Sequence, residues 1–343
     1  MADIRELTRA LTSGCSVSGQ EWRLDAVARD IADKYFDSLC KDNNGTYIFT
    51  KNATREGAPR IMLDAHMDEV GMLVTEVLEG GFLKVTPIGG LDTRILQAAD
   101  VTIYGKEELY GVIVSTPPHL RDGNNSLPTV NDLMIDTGLS KEEAEKLIPV
   151  GTPVGYRHRI TELKNNRLAG KGFDDKICAV AAIEAVDLLS KTDFDGEITL
   201  LLSAGEEVSR AVVTAAYRVM PDHAIVLDVA CAYVPGSESK DKSTVGDGPQ
   251  ISISAVTDVG FTKKLIAFAR DRELKHTVCV EAMGTGTNAN DIPLVSTGIS
   301  TALVSIQLKN MHTYNEVISL DDVEDTAVLL ARFIEQLGKE ARA

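Results

Sequence analysis

The chain has 343 residues, 44% of them hydrophobic, with a formal net charge of −16 and five cysteines. That length exceeds one typical domain and predicts two. The acidity excludes nucleic acid and anionic membrane as partners, because both call for basic patches, and 5% aromatics with a single Trp leave little for base stacking.

Cys15, Cys40, Cys178, Cys231 and Cys279 are odd in number and widely spaced, and no CxxC occurs. Free thiols in a reducing cytoplasm are expected rather than a disulfide framework or a zinc ribbon. The stretch from Met1 to Leu7 reads as an amphipathic helix without the apolar core of a signal peptide. No apolar run approaches the length of a membrane span.

In chain order, residues 4–12 and 19–38 read as helices, with Ser18 and Glu21 spaced as a capping box. Asn43-Asn44-Gly45 signals a turn before Tyr47-Ile48-Phe49. A short apolar run at 61–66 reads as a buried strand. From 70 to 165 the texture changes to short β-type segments (72–77, 82–87, 101–104, 111–115) separated by Gly, Asp and Pro, which predicts a small β-barrel or sandwich. Ser140 caps a short helix within it. His119 and His158 lie there without other candidate ligands nearby and read as surface or structural residues. After 165, helices at 176–189, 212–220, 261–274 and 320–337 alternate with strands at 198–204, 223–229 and 301–306. This alternation predicts an α/β sheet covered on both faces. The expected organisation is a discontinuous domain, 1–69 with 166–343, interrupted by an inserted β-rich domain, 70–165.

Five fragments carry chemistry. His66-Met67-Asp68 ends the first buried strand, and a residue two positions from a His ligand suits the carboxylate that orients it. Asp174-Asp175 stands directly before an apolar helix, where a plain helix cap is the alternative. Glu206-Glu207 follows a strand that breaks at Gly205, so one acid can ligate while the other moves protons. Asp228 closes an apolar strand, and His312 follows another. Each alone is weak. Together they place His66, Asp68, Asp174, Glu206, Glu207, Asp228 and His312 at one rim of the sheet. Two unit charges about 4 Å apart repel by about 4 kcal/mol at an effective dielectric near 20, so carboxylates gathered this closely need cations. Two divalent ions sharing one carboxylate meet that need, and the mixed N/O donor set suits Zn, Co or Mn better than Mg or Ca.

These fragments, with Val17-Ser18-Gly19-Gln20-Glu21, Gly89-Gly90 and Pro117-Pro118-His119-Leu120, resemble the dinuclear-metal aminopeptidases of the glutamyl and tetrahedral aminopeptidase family over essentially the whole chain. The resemblance implies a mixed-sheet, three-layer α/β/α metallopeptidase domain with an inserted, barrel-like dimerisation domain. It implies one ion on His66, Asp174 and Asp228 and a second on Asp174, Glu207 and His312, with Asp174 bridging. Glu206 would be the general base and acid acting on a two-metal activated water, and Asp68 would orient His66. The cofactors would be two divalent ions per subunit, Zn or Co first and Mn next. The substrates would be short peptides with a free N-terminus, and dimers would assemble into a hollow dodecamer. The chain departs from the family pattern at Ser209, where a glycine is usual, at Asn288, where an aspartate is usual, and at Lys309, where an arginine is frequent. Those departures leave a catalytically silent, metal-binding assembly protein as the alternative, with a deblocking peptidase or a glycan hydrolase behind it.

Overall fold

The computed structural model of the chain describes residues 3–116, 129–209, 212–236 and 243–342. Asp3 starts α1 (Ile4–Ser13) by accepting from the main-chain N–H groups of Arg5 and Glu6, and the helix buries Ile4, Leu7 and Leu11 along one stripe. The expected second helix is shorter than 19–38: a 3-10 turn, Glu21–Leu24, leads into α2 (Asp25–Tyr35). No capping box forms at Ser18, because its hydroxyl donates to the Asp68 carboxylate at 2.6 Å. β1 (Ser38–Lys41) and β2 (Tyr47–Lys51) make the expected hairpin. Asp42 holds its turn by accepting from the N–H groups of Asn44 and Thr46. β3 (Arg60–His66) follows.

The chain then leaves the sheet. β4 (Gly71–Val77), β5 (Leu83–Ile88), β6 (Asp100–Tyr104), β7 (Glu108–Ser115), β8 (Leu133–Asp136) and β9 (Pro153–Tyr156) close into a barrel in the order β4-β5-β8-β7-β6-β9. Its core is its own, built from residues such as Val74, Leu83, Val101, Ile103, Ile135 and Val154. α3 (Thr93–Leu96) and α4 (Lys141–Leu147) accompany the strands, and α4 carries the Ser140–Glu143 capping box. His158 is half-buried near the Thr12 hydroxyl. His119 and the whole Pro117–Leu120 stretch lie outside the described residues.

β10 (Thr161–Leu163) and β11 (Arg167–Gly170) lead into α5 (Phe173–Leu189). Nearly every residue of α5 is buried, as expected of a helix apolar on all sides. β12 (Glu197–Ser203), α6 (Val213–Val219), β13 (His223–Cys231), β14 (Gln250–Ser254), α7 (Val259–Asp271), β15 (Thr277–Glu281), β16 (Ser300–Leu308), β17 (Glu316–Ser319) and α8 (Leu320–Glu340) complete the chain. The eight-stranded sheet runs β1-β2-β12-β3-β13-β16-β14-β15, and β10-β11-β17 form a small second sheet. β12, β3, β13 and β16 are parallel, whereas β2 and β14 run antiparallel to their inner neighbours. The mixed sheet is therefore as expected, although β14 and β15 were not anticipated.

Strand parity places the site. Successive side chains point to opposite faces. On β3, Ile61, Leu63 and Ala65 join the core shared with α5 and α8. Met62 joins the opposite core, with α6, so Asp64 and His66 fall on that second face. The same parity puts Asp228 there after Ala224 and Val226, Ser203 after Leu201, and Ser305 after Leu303. No helix of the described residues is long and apolar enough to cross a membrane, and all five cysteines are free.

Candidate active site

Asp174 is the centre of the cluster. Its Oδ1 lies 3.1 Å from His66 Nε2, and its Oδ2 lies 3.2 Å from His312 Nε2. Asp228 Oδ1 stands 4.0 Å from His66 Nε2, and Glu207 Oε1 stands 3.3 Å from His312 Nε2. One carboxylate thus faces two groups of donors, one with each of its oxygens. Metal–donor bonds of about 2.0–2.2 Å in a tetrahedral shell put neighbouring donors roughly 3.3–3.6 Å apart, which fits this spacing. Both imidazoles present the same nitrogen. His66 Nδ1 sits 3.1 Å from the Asp68 main-chain carbonyl, and His312 Nδ1 sits 2.9 Å from the Gly90 carbonyl. With Nδ1–H donating to a carbonyl, Nε2 is left to ligate.

The electrostatics describe a site short of positive charge. Burial pushes Asp228 up, and Asp174 and Glu206 add to the shift. Burial would raise Asp174 as well, but His312 and His66 outweigh it and hold the carboxyl low. Burial opposes protonation of His312, yet Asp174 and Glu207 draw it up to about 11. Burial pushes Glu206 up to about 7, opposed by His66 and reinforced by Glu207, Asp68 and Asp174. An N/O donor set with this excess of carboxylate fits a pair of divalent cations.

The position of Asp228 needs correcting. It does not end its strand: β13 runs on to Cys231, and Asp228 projects from the sheet face opposite Ser305. Asp68 does more than the spacing suggested. Its carboxylate is 3.5 Å from His66 Nδ1, farther than its own carbonyl. It also accepts from the Ser18 hydroxyl and from the N–H groups of Glu206 and Glu207, at 3.0 and 3.2 Å. One buried carboxylate therefore positions the turn that carries both glutamates. Asp175, although one of its oxygens groups with donor atoms of His66 and Asp228, is fully buried and accepts from the His66 main-chain N–H at 3.2 Å.

Glu316 was missed by sequence reasoning. Buried, it accepts from the N–H groups of Phe173 (2.7 Å), Asp174 (3.3 Å) and His312 (3.0 Å). It ties the Asp174 main chain to a histidine held at φ 62°, a strained backbone that persists only when surroundings enforce it. Its only signal was a glutamate four residues after a histidine. Glu69 was also missed. Lys171 Nζ contacts its two oxygens at 2.8 and 3.0 Å, and Lys176 Nζ lies 3.1 Å away. All three are buried. Gly172 passes so close that a Cβ there would collide with the Glu69 carboxylate.

The cluster opens into a cavity of about 570 Å³. Against known proteins, the sequence model of the M42 glutamyl aminopeptidase family matches residues 45–329. The chain belongs to that family. It is 31% identical to the lysyl aminopeptidase of Pyrococcus furiosus over 97% of each chain. An aminopeptidase from the archaeon Desulfurococcus kamchatkensis superposes with a TM-score of 0.90 at 30% identity, covering 97% of this chain and 94% of that one. A TET peptidase of Pyrococcus horikoshii, which assembles into a tetrahedron or a large octahedral shell, superposes at 0.82 with 27% identity, covering 97% and 99%. As an M42 member the chain is an aminopeptidase, a hydrolase of the exopeptidase class.

The M42 departures acquire physical meaning in the fold. Ser209 adopts φ 53° after the 3-10 turn Glu206–Val208, a left-handed position that favours glycine and costs a side chain about 1 kcal/mol. The departure is thus one of backbone. Lys309 pairs with Val317 through its main chain. Asn288 is buried, and its amide donates to Asp64 Oδ2 and Ser203 Oγ, both at 2.9 Å. Asn288 thus stands against a carboxyl of another segment, Asp64, which burial raises to about 6. We predict that Asn288→Asp alone is destabilising by about 2–4 kcal/mol, as two close buried acids compete. The exchange Asp64→Asn with Asn288→Asp should recover most of that loss. Denaturation midpoints of the three variants give the coupling directly, and additive losses would refute it.

Proposed function

We propose that this M42 aminopeptidase releases N-terminal residues from short peptides at a two-metal centre. His66, Asp174 and Asp228 would hold one ion, and Asp174, Glu207 and His312 the other. The observation that carries the reading is the Asp174 carboxylate, with one oxygen toward each histidine. Bound divalent ions lower the pKa of a water and polarise a carbonyl. Glu206, raised by burial to about 7, is poised to take that water's proton and hand it to the leaving amine. Asp68 fixes the Glu206 main chain, and Glu316 fixes the Asp174 and His312 main chains. Zn or Co is the expected occupant, with Mn next, since the site mixes imidazole and carboxylate.

The barrel, within residues 70–165, is read as an inserted oligomerisation domain. The tetrahedral assembly of the Pyrococcus horikoshii relative supports dimers that build a dodecamer here too, and light scattering measures that state. Five free thiols fit a cytoplasmic enzyme. The family and the relative carry the words glutamyl and lysyl, which are opposite in charge, so neither fixes the side chain that this chain prefers.

Chelation is expected to abolish hydrolysis of aminoacyl anilides, and Zn or Co to restore it. Metal analysis should find two ions per native chain and fewer than one in Asp174→Asn, because one side chain serves both positions. Full metal content in that variant, or undiminished turnover in chelator, would remove the two-metal reading.

A further inference from the structure

The cavity beside the cluster carries one further charge. Among the described residues lining it, Glu281 is the only charged side chain outside the proposed ligands and Glu206. It ends β15, is half-buried, and accepts from the Ser252 hydroxyl at 2.8 Å through Oε1. Oε2 has no hydrogen-bond partner among the described residues, and no described Lys, Arg or His pairs with this carboxylate.

The floor between the cluster and Glu281 follows from strand register. Asp228 lies opposite Ser305, and Ser305 opposite Gln250. In the next row, Leu303 lies opposite Ser252, and Ser252 opposite Cys279. Glu281 belongs to the outermost strand, but its contact with Ser252 brings its carboxylate back over β14. That places it two strand spacings, about 10 Å, from the strand that bears Asp228. Thr285 and Thr287 border the same cavity. The far wall is therefore polar and ends in a carboxylate that pairs with no cation among the described residues.

We propose that Glu281 makes this cavity a pocket for a basic N-terminal side chain, lysine or arginine. This rests on the aminopeptidase reading, which anchors the peptide's amino end at the cluster. A long, cationic side chain spans the polar floor and pairs with Glu281 at its tip. An acidic side chain would be repelled there. An apolar one would strip water from the carboxylate without supplying a partner, and burying an unpaired charge is costly. Discrimination by charge placement of this kind acts through attraction to one class and repulsion of the other.

The test compares kcat/KM for lysyl, arginyl, norleucyl and glutamyl anilides on metal-loaded enzyme. Norleucine is the neutral analogue of lysine, so the lysine-to-norleucine ratio isolates the charge. In the native protein that ratio should be about tenfold or more, and it should fall as salt is raised. Glu281→Gln keeps the shape and the acceptor for Ser252, and should bring the ratio close to one. Glu281→Lys should turn preference toward glutamate. An unchanged ratio in Glu281→Gln would overturn the proposal. So would a native enzyme that cleaves the norleucyl or glutamyl substrate as well as the lysyl one, and this needs no variant; the aminopeptidase reading would then stand and the pocket assignment alone would fall. If no free-amine substrate is cleaved after metal loading, both fall together.

Discussion

Glu206→Gln is expected to lower kcat by about 10²–10⁴-fold while leaving two metal ions bound. The substitution keeps size and shape but cannot accept a proton. Glu206 and Glu207 are adjacent and both border the cavity, but only Glu207 reaches His312. Glu207 Oε1 is 3.3 Å from His312 Nε2, within the donor cluster. Glu206 faces the cavity, with its carboxyl raised by burial to about 7. A carboxylate placed there can take a proton and return it. Steady-state rates with an aminoacyl anilide, measured beside metal content, decide the matter. Loss of metal in Glu206→Gln, with metal retained in Glu207→Gln, would show that the two roles are reversed.

Glu69→Gln is expected to destabilise the protein by about 3–5 kcal/mol. Lys171 and Lys176 are buried and share this one carboxylate, and among the described residues Lys171 reaches only the Gly14 carbonyl besides. Removing the anion leaves two buried ammonium groups without the carboxylate they share. Replacing all three residues by methionine should cost far less, because a buried ion pair gains little over apolar packing. Denaturant midpoints of the single and triple variants make the comparison, and equal losses in both would defeat the argument. The pH dependence has a definite sign. Burial disfavours the ionised carboxyl, but the two lysines prevail and hold Glu69 at about 2 against an ordinary 4.5. A group lowered on folding contributes stability fully above its unfolded value, so this contribution is intact above about pH 4.5 and is lost as pH falls toward 2.

The residues readable from sequence share a property. His66, Asp174, Glu206, Glu207 and His312 each stand where an apolar run meets a turn or a helix start, and local pattern reports such junctions. Asp228 was readable by type but not by place, because nothing in Val226-Leu227-Asp228 shows that pairing with β16 carries the strand onward. The groups that support these residues were not readable. Ser18 looked like a helix cap because its distant partner, Asp68, cannot be inferred from spacing. Glu316, Glu69 and the Asp64–Asn288 contact depend on segments that meet only in the folded chain. β14 and β15 escaped notice for another reason. Gln-Ile-Ser-Ile-Ser and Thr-Val-Cys-Val-Glu are short and only weakly apolar, as suits the edge of a sheet. Their loss from the sequence reading hid Gln250 and Glu281, hence one whole wall of the cavity.

The hydrogen bond from His312 to the Gly90 carbonyl bears on how this enzyme can be dissected. Gly90 follows β5 of the barrel, and a Cβ there would stand 3.2 Å from the imidazole. A main-chain carbonyl after a barrel strand therefore orients the imidazole of a residue in the other half of the molecule. A chain shortened by excising the barrel to obtain a monomer would lose that acceptor as well. Its inactivity would say nothing about whether assembly is needed for catalysis. Separating the two questions calls for point changes on the barrel's outer surface that leave Gly90 where it is.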